Sequence, residues 1–298
     1  MPAPVIFFNR RTQAFETEII YGENSLRWVY GSPLGRAALW LLVKRAFFSR
    51  WYGWRMNQPA SRAMIAPFIA RYRIDVSEMA DAPESFPHFN AFFSRKLKCD
   101  ARPVAADTET AIFPADGRHF AIPDIAANDG IFVKGVRFDL AALLDDAALA
   151  ARFESGALLI SRLCPVDYHR FHFPCAGTPG TPRLINGPLY SVNPIALRQR
   201  PSVFWENNRY VTELQTSNCG LVLCLEVGAT CVGKVVHTQR SDPSVAKGDE
   251  KGFFLFGGSS VITIFEPGRV KFADDLIEHS AQGREVYARM GEPAARVL

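Results

Sequence analysis

Apolar positions recur at helical spacing through most of the first hundred residues. Over residues 33–51, five apolar residues fall on one face of a predicted helix. A second helix is predicted over 59–72, strained by Pro67, and a third over 86–97. Residues 1–22 alternate instead, which predicts a strand or an ordered arm. The N-terminal third of the chain is therefore expected to be mainly helical.

After Pro103 the pattern changes to short apolar and β-branched runs separated by Gly, Pro, Asn and Asp, which predicts β-strands. Asp139 is expected to N-cap one inserted helix, DLAALLDDAALAARF. With no internal repeat, the pattern predicts a single α+β domain. A helical N-terminal layer (1–100) is expected to pack on a mostly antiparallel β-sheet or barrel-like core (101–298). The predicted strands are AIF, GIFVKG, ALLISR, RYVTEL, GLVLCLEVG, CVGKVV and SVITIF.

Charge is unevenly distributed along the chain. The 298 residues carry 34 Lys and Arg against 30 Asp and Glu, a formal net charge of +4. Residues 24–74 contain no acidic residue but nine Lys and Arg, so this segment carries +9 and leaves −5 for the remainder. A basic segment rich in aromatic residues indicates an anionic partner. The alternative is a soluble amphipathic layer whose Trp and Leu pack on the core. The segment holds four of the five tryptophans, Trp28, Trp40, Trp51 and Trp54.

Cysteine usage and the length of apolar runs indicate the compartment. The six cysteines include no CxxC pair, and a disulfide framework is not expected in a chain of this size without a secretory signal. The apolar runs 5–8 and 37–43 fall far short of the about 20 residues that cross a bilayer. The sequence therefore predicts reduced thiols in a cytoplasm, with neither a signal peptide nor a transmembrane helix.

Four islands of reactive or glycine-containing sequence interrupt the β region. Singly, each has a structural explanation, because Asp-Gly is usually a turn and Gly-Gly-Ser-Ser can be a loop entering a strand. No cysteine pair accompanies His169 and His172, so no metal site is expected. Phosphate-loop and hydrolase-elbow motifs are absent. Together the islands supply an Asp, a His and a Ser, the set used in nucleophilic catalysis. They are PADGR (114–118), DYHRFHFP (167–174), KGDEKG (247–252) and FGGSS (256–260).

Eight motifs carry a resemblance to one enzyme family: FFSRKLKCDARP (92–103), PADG, FVKG (132–135), DYHRFHFP, YSVNPIAL (190–197), VGATCVGKV (227–235), KGDEKGFFLFGGSS and VITIF. On these motifs the chain resembles the short bacterial type of phosphatidylserine decarboxylase, which is pyruvoyl-dependent. Two departures stand out. Many relatives have Leu-Gly-Ser-Thr where this chain has Gly257-Gly258-Ser259-Ser260. The family often has Asn-Glu-Arg where this chain has Asn207-Asn208-Arg209, which puts a role for that carboxylate in doubt.

The resemblance implies a precursor that cleaves itself between Gly258 and Ser259. Ser259 would be the nucleophile and His172 its base, with Asp116 fixing the imidazole tautomer and stabilising its charged form. Ser259 would then become a covalent pyruvoyl group, the one cofactor implied, which accepts electrons as CO₂ leaves.

The implied activity is that of a carboxy-lyase that converts phosphatidylserine to phosphatidylethanolamine and CO₂. His169 would protonate the carbanion that remains after CO₂ leaves. The implied products of cleavage are a β chain (1–258) and an α chain (259–298), which stay together as a heterodimer; further dimerisation is left open.

The implied substrate provides a partner for the basic segment. Phosphatidylserine is an anionic membrane lipid, each Lys or Arg near such a surface contributes about 1 kcal/mol, and Trp prefers the interface. We therefore expect peripheral attachment to the cytoplasmic side of the cell membrane. No nucleic-acid partner is expected, because no recognised binding motif accompanies the charge. The alternatives are a pyruvoyl decarboxylase of a soluble amino acid and an inactive lipid-binding scaffold.

Overall fold

Most of the chain is described by a computed structural model. Two predicted strands, GIFVKG and the start of CVGKVV, lie outside the described residues, and so does Gly258. Within the described part, no helix has both the length and the apolar character needed to cross a membrane. The described residues are 4–127, 138–230, 235–238, 243–257 and 259–298.

The described residues contain ten short α-helices, and five of them lie in the N-terminal layer. Short 3-10 helices at Pro59–Met64, Val76–Glu78 and Pro83–Ser85 separate some of these. The helices are α1 (Glu23–Gly31), α2 (Pro33–Ala38), α3 (Ala46–Met56), α4 (Ile65–Tyr72), α5 (Phe89–Phe93), α6 (Leu140–Leu144), α7 (Ala147–Arg152), α8 (Pro194–Leu197), α9 (Val203–Glu206) and α10 (Asp274–Ala281).

The strands form one large sheet and two small ones. They are β1 (Ile6–Asn9), β2 (Ala14–Thr17), β3 (Thr110–Ile112), β4 (Gly117–Ile122), β5 (Ala157–Leu163), β6 (Arg170–His172), β7 (Thr178–Pro179), β8 (Arg183–Ile185), β9 (Arg209–Gln215), β10 (Leu221–Val227), β11 (Val235–His237), β12 (Glu250–Phe254), β13 (Ser259–Phe265), β14 (Val270–Phe272), β15 (Val286–Ala288) and β16 (Pro293–Val297).

The large sheet has the strand order β2-β1-β15-β4-β5-β13-β10-β9-β7, with β8 also paired to β9. Every pairing in it is antiparallel except that of β1 with β15, which is parallel. The small sheets are β11-β12-β6 and β14-β16-β3. The predicted α+β class and its mostly antiparallel sheet are confirmed. Among the described strands the large sheet is open and does not close into a barrel.

The N-terminal helices are shorter than the apolar pattern predicts. The helix predicted over 33–51 is divided into α2, a π-helical turn at Leu39–Val43 and α3. Pro67 lies in the first turn of α4, where a proline removes no intrahelical hydrogen bond, so the helix starts at Ile65 and continues past it. The helix predicted over 86–97 is only the five residues of α5.

Asp139 caps a helix as predicted, but the run that follows forms two helices. The Asp139 carboxylate accepts a hydrogen bond from the Ala142 N–H at 2.8 Å. Asp145 then adopts φ 48°, a left-handed conformation that ends α6. Asp146 caps α7 by accepting from the Leu149 N–H at 2.9 Å. Two consecutive Asp residues therefore end one helix and start the next.

The chain begins with a β-hairpin that belongs to the large sheet, so the first hundred residues are not purely a helical layer. Strand β1 pairs with β15 through Phe8 and Val286. Just after β2, the buried Glu18 forms an ion pair with Arg162 of β5 at 2.5 Å. This hairpin attaches the N-terminal region directly to the β core.

Apolar residues pack on both faces of the large sheet and beneath the N-terminal helices. Along β5, Leu158 and Ile160 belong to one core cluster and Leu159 to another, as alternation in a strand requires. A third cluster joins the helical layer to the segment before β13 through Phe256. That third cluster lies next to the candidate site.

Candidate active site

Ser259 is the first residue of β13, a central strand, and its side chain is fully buried. It is paired with Leu163 of β5. Two residues earlier, Gly257 has φ 141°, a backbone conformation that residues with a Cβ rarely adopt. Gly258 itself lies outside the described residues. The chain thus enters β13 through a conformation that favours glycine.

His169 is the imidazole that contacts Ser259. Its Nδ1 lies 3.4 Å from Ser259 Oγ, and its Nε2–H donates to the Cys164 carbonyl at 2.8 Å. The pKa of His169 is lowered to about 3. Burial is the main cause and the nearby Arg95 adds to it, whereas the hydrogen bond to the Cys164 carbonyl raises the pKa. The ring is therefore neutral at pH 7, with the lone pair of Nδ1 directed at the serine hydroxyl.

His172 ends β6 and does not contact Ser259. Its Nδ1–H donates to the Gly248 carbonyl at 2.9 Å, while its buried Nε2 has no hydrogen-bond partner. Burial lowers the pKa of His172, and the Gly248 carbonyl, Glu250 and Asp116 oppose that shift. His172 is therefore a second neutral imidazole with an unused lone pair.

Asp116 is buried immediately before β4 and is held by a cation. Arg102 Nε and Nη2 donate to its two carboxylate oxygens at 2.9 and 2.6 Å, and the Met290 N–H donates to it at 2.9 Å. The Gly248 carbonyl, rather than Asp116, sets the tautomer of His172. In this structure Asp116 acts on His172 through its charge and makes no direct hydrogen bond to it.

Two residues that position the segment before Ser259 were not predicted from the sequence. The backbone N–H of Phe256 donates to Asn90 Oδ1 at 2.9 Å. Asn90 is buried in α5, and its Nδ2 donates to Asn57 Oδ1 at 2.9 Å and to the Gly53 carbonyl at 3.2 Å. The available signal was the single polar residue within FNAFF, an otherwise apolar run whose phenylalanines are buried.

The Asn207-Asn208-Arg209 segment, where the chain differs from the family pattern, makes hydrogen bonds that hold the fold together. Buried Asn207 donates to the carbonyls of Tyr190 and Gly228, both at 2.8 Å. Arg209 donates to the carbonyl of Leu143 at 2.6 Å. These contacts tie β9 to neighbouring loops and to α6, and none of them reaches Ser259.

The fold and this site together define a class of enzyme. A buried serine that follows a backbone conformation favouring glycine, beside a segment that carries two neutral imidazoles, has the requirements of a serine activated as a nucleophile. The family model for phosphatidylserine decarboxylase matches residues 89–296.

Curated relatives extend this similarity to almost the whole chain. "Phosphatidylserine decarboxylase proenzyme" of Clostridium botulinum (strain 657 / Type Ba4) is 41% identical over 287 residues, 96% of this chain and 97% of that protein. The proteins of the same name from Clostridium kluyveri and Chlamydia pneumoniae are 42% identical over 286 residues and 41% identical over 290 residues. These alignments cover 96% and 97% of this chain, and 97% and 96% of the relatives.

The chain belongs to the phosphatidylserine decarboxylase family, a family of carboxy-lyases. This membership confirms the resemblance and the enzyme class predicted from the motifs.

Proposed function

We propose that the chain is a precursor that cleaves itself between Gly258 and Ser259, and that the cleaved enzyme converts phosphatidylserine to phosphatidylethanolamine and CO₂. The observation that carries the proposal is the fully buried Ser259 at the start of β13, whose Oγ lies 3.4 Å from His169 Nδ1 in the segment 167–174 that also holds His172. A serine hydroxyl is a weak nucleophile at neutral pH and needs a base nearby. The φ of 141° at Gly257 adds to this support, because a bent backbone helps a hydroxyl reach the preceding carbonyl.

Cleavage rearranges bonds within the chain itself. Attack of Ser259 Oγ on the Gly258 carbonyl carbon replaces the C–N bond by an ester C–O bond, and the base returns the serine proton to the freed amine. Removal of the Cα proton of Ser259 then breaks its Cβ–Oγ bond, which releases Gly258 as a carboxylate and leaves a Cα=Cβ double bond. The resulting enamine becomes an imine by moving a proton to Cβ, and water hydrolyses the imine to ammonia and a pyruvoyl group.

The base for this cleavage is assigned to His172. Burial lowers the pKa of both imidazoles, but Asp116 opposes the shift at His172 while Arg95 adds to the shift at His169. An imidazole with a pKa of about 3 accepts a proton from serine poorly. The lone pair of His172 Nε2 is also unused. His169 is the alternative base, because it is the imidazole that contacts Ser259 directly.

The residues around position 259 fit a decarboxylation site. A pyruvoyl group formed there would supply an electron-accepting carbonyl. Leu163 and Val261 flank position 259 and belong to a buried apolar cluster with Phe254. Such surroundings exclude water and favour decarboxylation, because the substrate carboxylate loses its charge in that step. His169 Nδ1 faces the same position and would deliver the proton to the substrate carbon after taking one up from a water that enters with the substrate, because the ring itself is neutral.

The two products would remain one folded unit. Ser259 begins β13, which is paired along its length with β5 on one side and β10 on the other. The α chain of residues 259–298 also contributes β14, β15 and β16 to the sheets. The hydrogen bonds of a central strand would hold the α chain to the β chain after the peptide bond is cut.

Peripheral binding to an anionic membrane surface follows from the basic segment. Trp28, Trp40, Trp51 and Trp54 are each 49–61% exposed, so they are not packed in the core. Seven of the nine cations in residues 24–74 are exposed as well. Exposed indole rings beside Lys and Arg suit the head-group region of a bilayer. We place this surface on the cytoplasmic side of the cell membrane.

Replacing the nucleophile tests the cleavage. Ser259→Ala should remain a single chain of 33.2 kDa, whereas the unchanged chain should give a 40-residue fragment of residues 259–298 that carries a keto group. Ser260→Ala is the matched control, because the Ser260 hydroxyl has no hydrogen-bond partner and should not be needed. Intact-mass measurement reads both. A 40-residue fragment from Ser259→Ala would refute the assignment.

Two histidine variants distinguish the two possible bases. We expect His172→Ala to stay uncleaved, and His169→Ala to cleave but to decarboxylate about 10²- to 10⁴-fold more slowly. Gel analysis reads the first effect, and CO₂ release from phosphatidylserine vesicles reads the second. If His169→Ala is the uncleaved variant and His172→Ala cleaves normally, the base is His169.

A further inference from the structure

A polar cavity of about 350 Å³ opens beside the candidate active site. Its walls come from the N-terminal hairpin, the residues that end α4, and the segment 166–168 that leads into His169. Asp116 lines it too, so the cavity reaches a residue proposed to act on His172. Neither the family resemblance nor the cleavage chemistry assigns a ligand to this space.

Two of the arginines in the cavity wall form no ion pair with a carboxylate among the described residues. The wall contains five arginines and five carboxylates. Three arginines pair with three of the carboxylates at 2.5 to 2.6 Å, and the other two carboxylates accept hydrogen bonds from Asn9 and Ser77. Arg73 and Arg95 have no carboxylate partner among the described residues. The ion pairs are Arg102–Asp116, Arg118–Asp167 and Arg289–Glu78, and the remaining carboxylates are Glu16 and Asp75.

Arg95 is the more unusual of the two, because it is only 5% exposed. Its Nε and Nη1 have no hydrogen-bond partner, and its Nη2 reaches only the Asp167 carbonyl, at 3.5 Å. Burial lowers its pKa to about 10, so the group is still charged at neutral pH. The guanidinium lies 5.1 Å from the Phe92 ring centroid and is stabilised by the charges of Asp116 and Asp167, but a buried cation whose donors are unused is costly unless an anion binds to them.

We propose that this cavity binds the phosphodiester of the substrate head group, with Arg95 and Arg73 as its cationic contacts. The inference rests on the proposed function. A guanidinium presents a planar fork of donors that matches two phosphate oxygens, and Arg95 has donors to spare. Arg73 is exposed at the rim, where it would meet the phosphate as it enters.

The phosphate is a better occupant than the serine carboxylate. A cation on the carboxylate would stabilise the charge that must be lost when CO₂ leaves, and would therefore slow the reaction. A cation on the phosphate holds a group whose charge does not change, so it strengthens binding without that cost. Arg95 Nη2 lies 3.5 Å from the carbonyl of Asp167, two residues before His169, and the ring centroids of Phe93 and His169 are 4.0 Å apart, so a phosphate on Arg95 would lie near the reacting end of the head group.

Direct binding tests the cavity in the uncleaved chain. Ser259→Ala protein is titrated calorimetrically with glycerophosphoserine, with serine and with inorganic phosphate. We expect glycerophosphoserine to bind and serine not to bind. Inorganic phosphate should bind more weakly than glycerophosphoserine, because it lacks the serine part. Serine binding as tightly as glycerophosphoserine would overturn the proposal, and inorganic phosphate binding as tightly would identify a free-phosphate site instead.

Arginine variants test the same contacts in the cleaved enzyme. With monomeric dibutyryl-phosphatidylserine as substrate, Arg73→Gln and Arg95→Gln should raise KM about tenfold or more while kcat stays within about twofold. This result is expected because the phosphate contact is equally strong in the bound substrate and in the transition state. Arg95→Lys should recover part of the loss. Arg73 is exposed, so its variant should fold even if the Arg95 variants do not.

Arg11→Gln is the control, since Arg11 is exposed on the turn of the hairpin and does not line the cavity. Its KM should be that of the unchanged enzyme. Cleavage and turnover by the unchanged chain report separately on the proposed function. An unchanged KM in Arg73→Gln, together with unaltered glycerophosphoserine binding by the uncleaved chain carrying Arg73→Gln, would refute the cavity proposal.

Discussion

The aromatic residues of the N-terminal layer fall into two groups with opposite environments. Phe68, Phe89, Phe92 and Phe93 are buried around Phe256, at ring-centroid distances of 4.9 and 5.0 Å for the closest pairs. The four tryptophans of the same region are about half or more exposed. The buried group therefore holds the segment before Ser259, whereas the tryptophan side chains are exposed at the surface.

The difference favours two separate tasks for the layer, packing and the membrane contact proposed above. Burial of phenylalanine in a packed cluster stabilises the fold. Exposed tryptophan does not, and a monomeric soluble protein rarely leaves several large aromatic residues in one exposed region without a binding function. Exposed cations lie beside the tryptophans in the chain, for example Arg50 and Arg55 next to Trp51 and Trp54. Substitutions in each group should therefore have different consequences.

The largest effect is expected from Phe256→Ala, which removes the centre of the buried group. Truncating a fully buried phenylalanine typically costs about 3 to 5 kcal/mol. The Phe256 backbone is held by Asn90, so the space left by the removed ring should also loosen the segment before Ser259 and slow cleavage. Phe253→Ala is the control, since Phe253 is only half-buried in β12. Urea unfolding and the rate of cleavage measure both, and equal losses in the two variants would contradict a special role for the cluster.

A somewhat smaller effect is expected at Glu18, which attaches the N-terminal hairpin to the β core. Burial raises its pKa, but Arg162 and Arg118 outweigh burial and hold the pKa near 2, below the usual 4.5. Because the folded-state pKa is depressed, its contribution is complete above about pH 4.5 and is lost as the pH falls toward 2. A shift of this size corresponds to about 3 kcal/mol.

Urea unfolding at pH 5 and pH 3 measures this contribution. The unchanged chain should lose stability between the two values, and Glu18→Gln should lack that part of the pH dependence. Glu16→Gln, on the same hairpin, is the matched control and should keep it. An unchanged pH dependence in Glu18→Gln would mean that other carboxylates produce the acid sensitivity.

Elements with strong local signals could be predicted from the sequence. Asp139 was identified as a cap because a carboxylate before an apolar run satisfies free backbone N–H groups. The alternating and β-branched runs gave the strands that include Ser259. The family motifs supplied the residues that are proposed for the site, since each motif is contiguous in the chain.

Features that depend on distant contacts could not be predicted. The pairing of β1 with β15 joins residues 8 and 286, and no local pattern indicates it. Asp116 was expected to hold an imidazole, but Arg102 occupies both of its oxygens. The spacing of apolar residues predicts one helix over 33–51. It does not reveal the π-helical turn at Leu39–Val43, where the backbone departs from α geometry.

The smallest effect on stability, with a large effect on binding, is expected from Trp28→Ala combined with Trp54→Ala. These side chains are 52% and 61% exposed, so the free energy of unfolding should change by only about 0.5 kcal/mol. Binding to vesicles that contain phosphatidylserine should nevertheless weaken severalfold, because interfacial indole rings are lost.

The fifth tryptophan provides the opposite case. Trp205 lies outside the basic segment and packs on Phe138 at a ring-centroid distance of 5.2 Å. Trp205→Ala should lower stability and leave vesicle flotation unchanged, since its ring contributes to the core and not to the exposed face. If both tryptophan variants lower stability equally and neither alters flotation, the exposed face is not the membrane contact. A loss of flotation confined to Trp28 and Trp54 would instead assign the two tasks to the two faces of one layer.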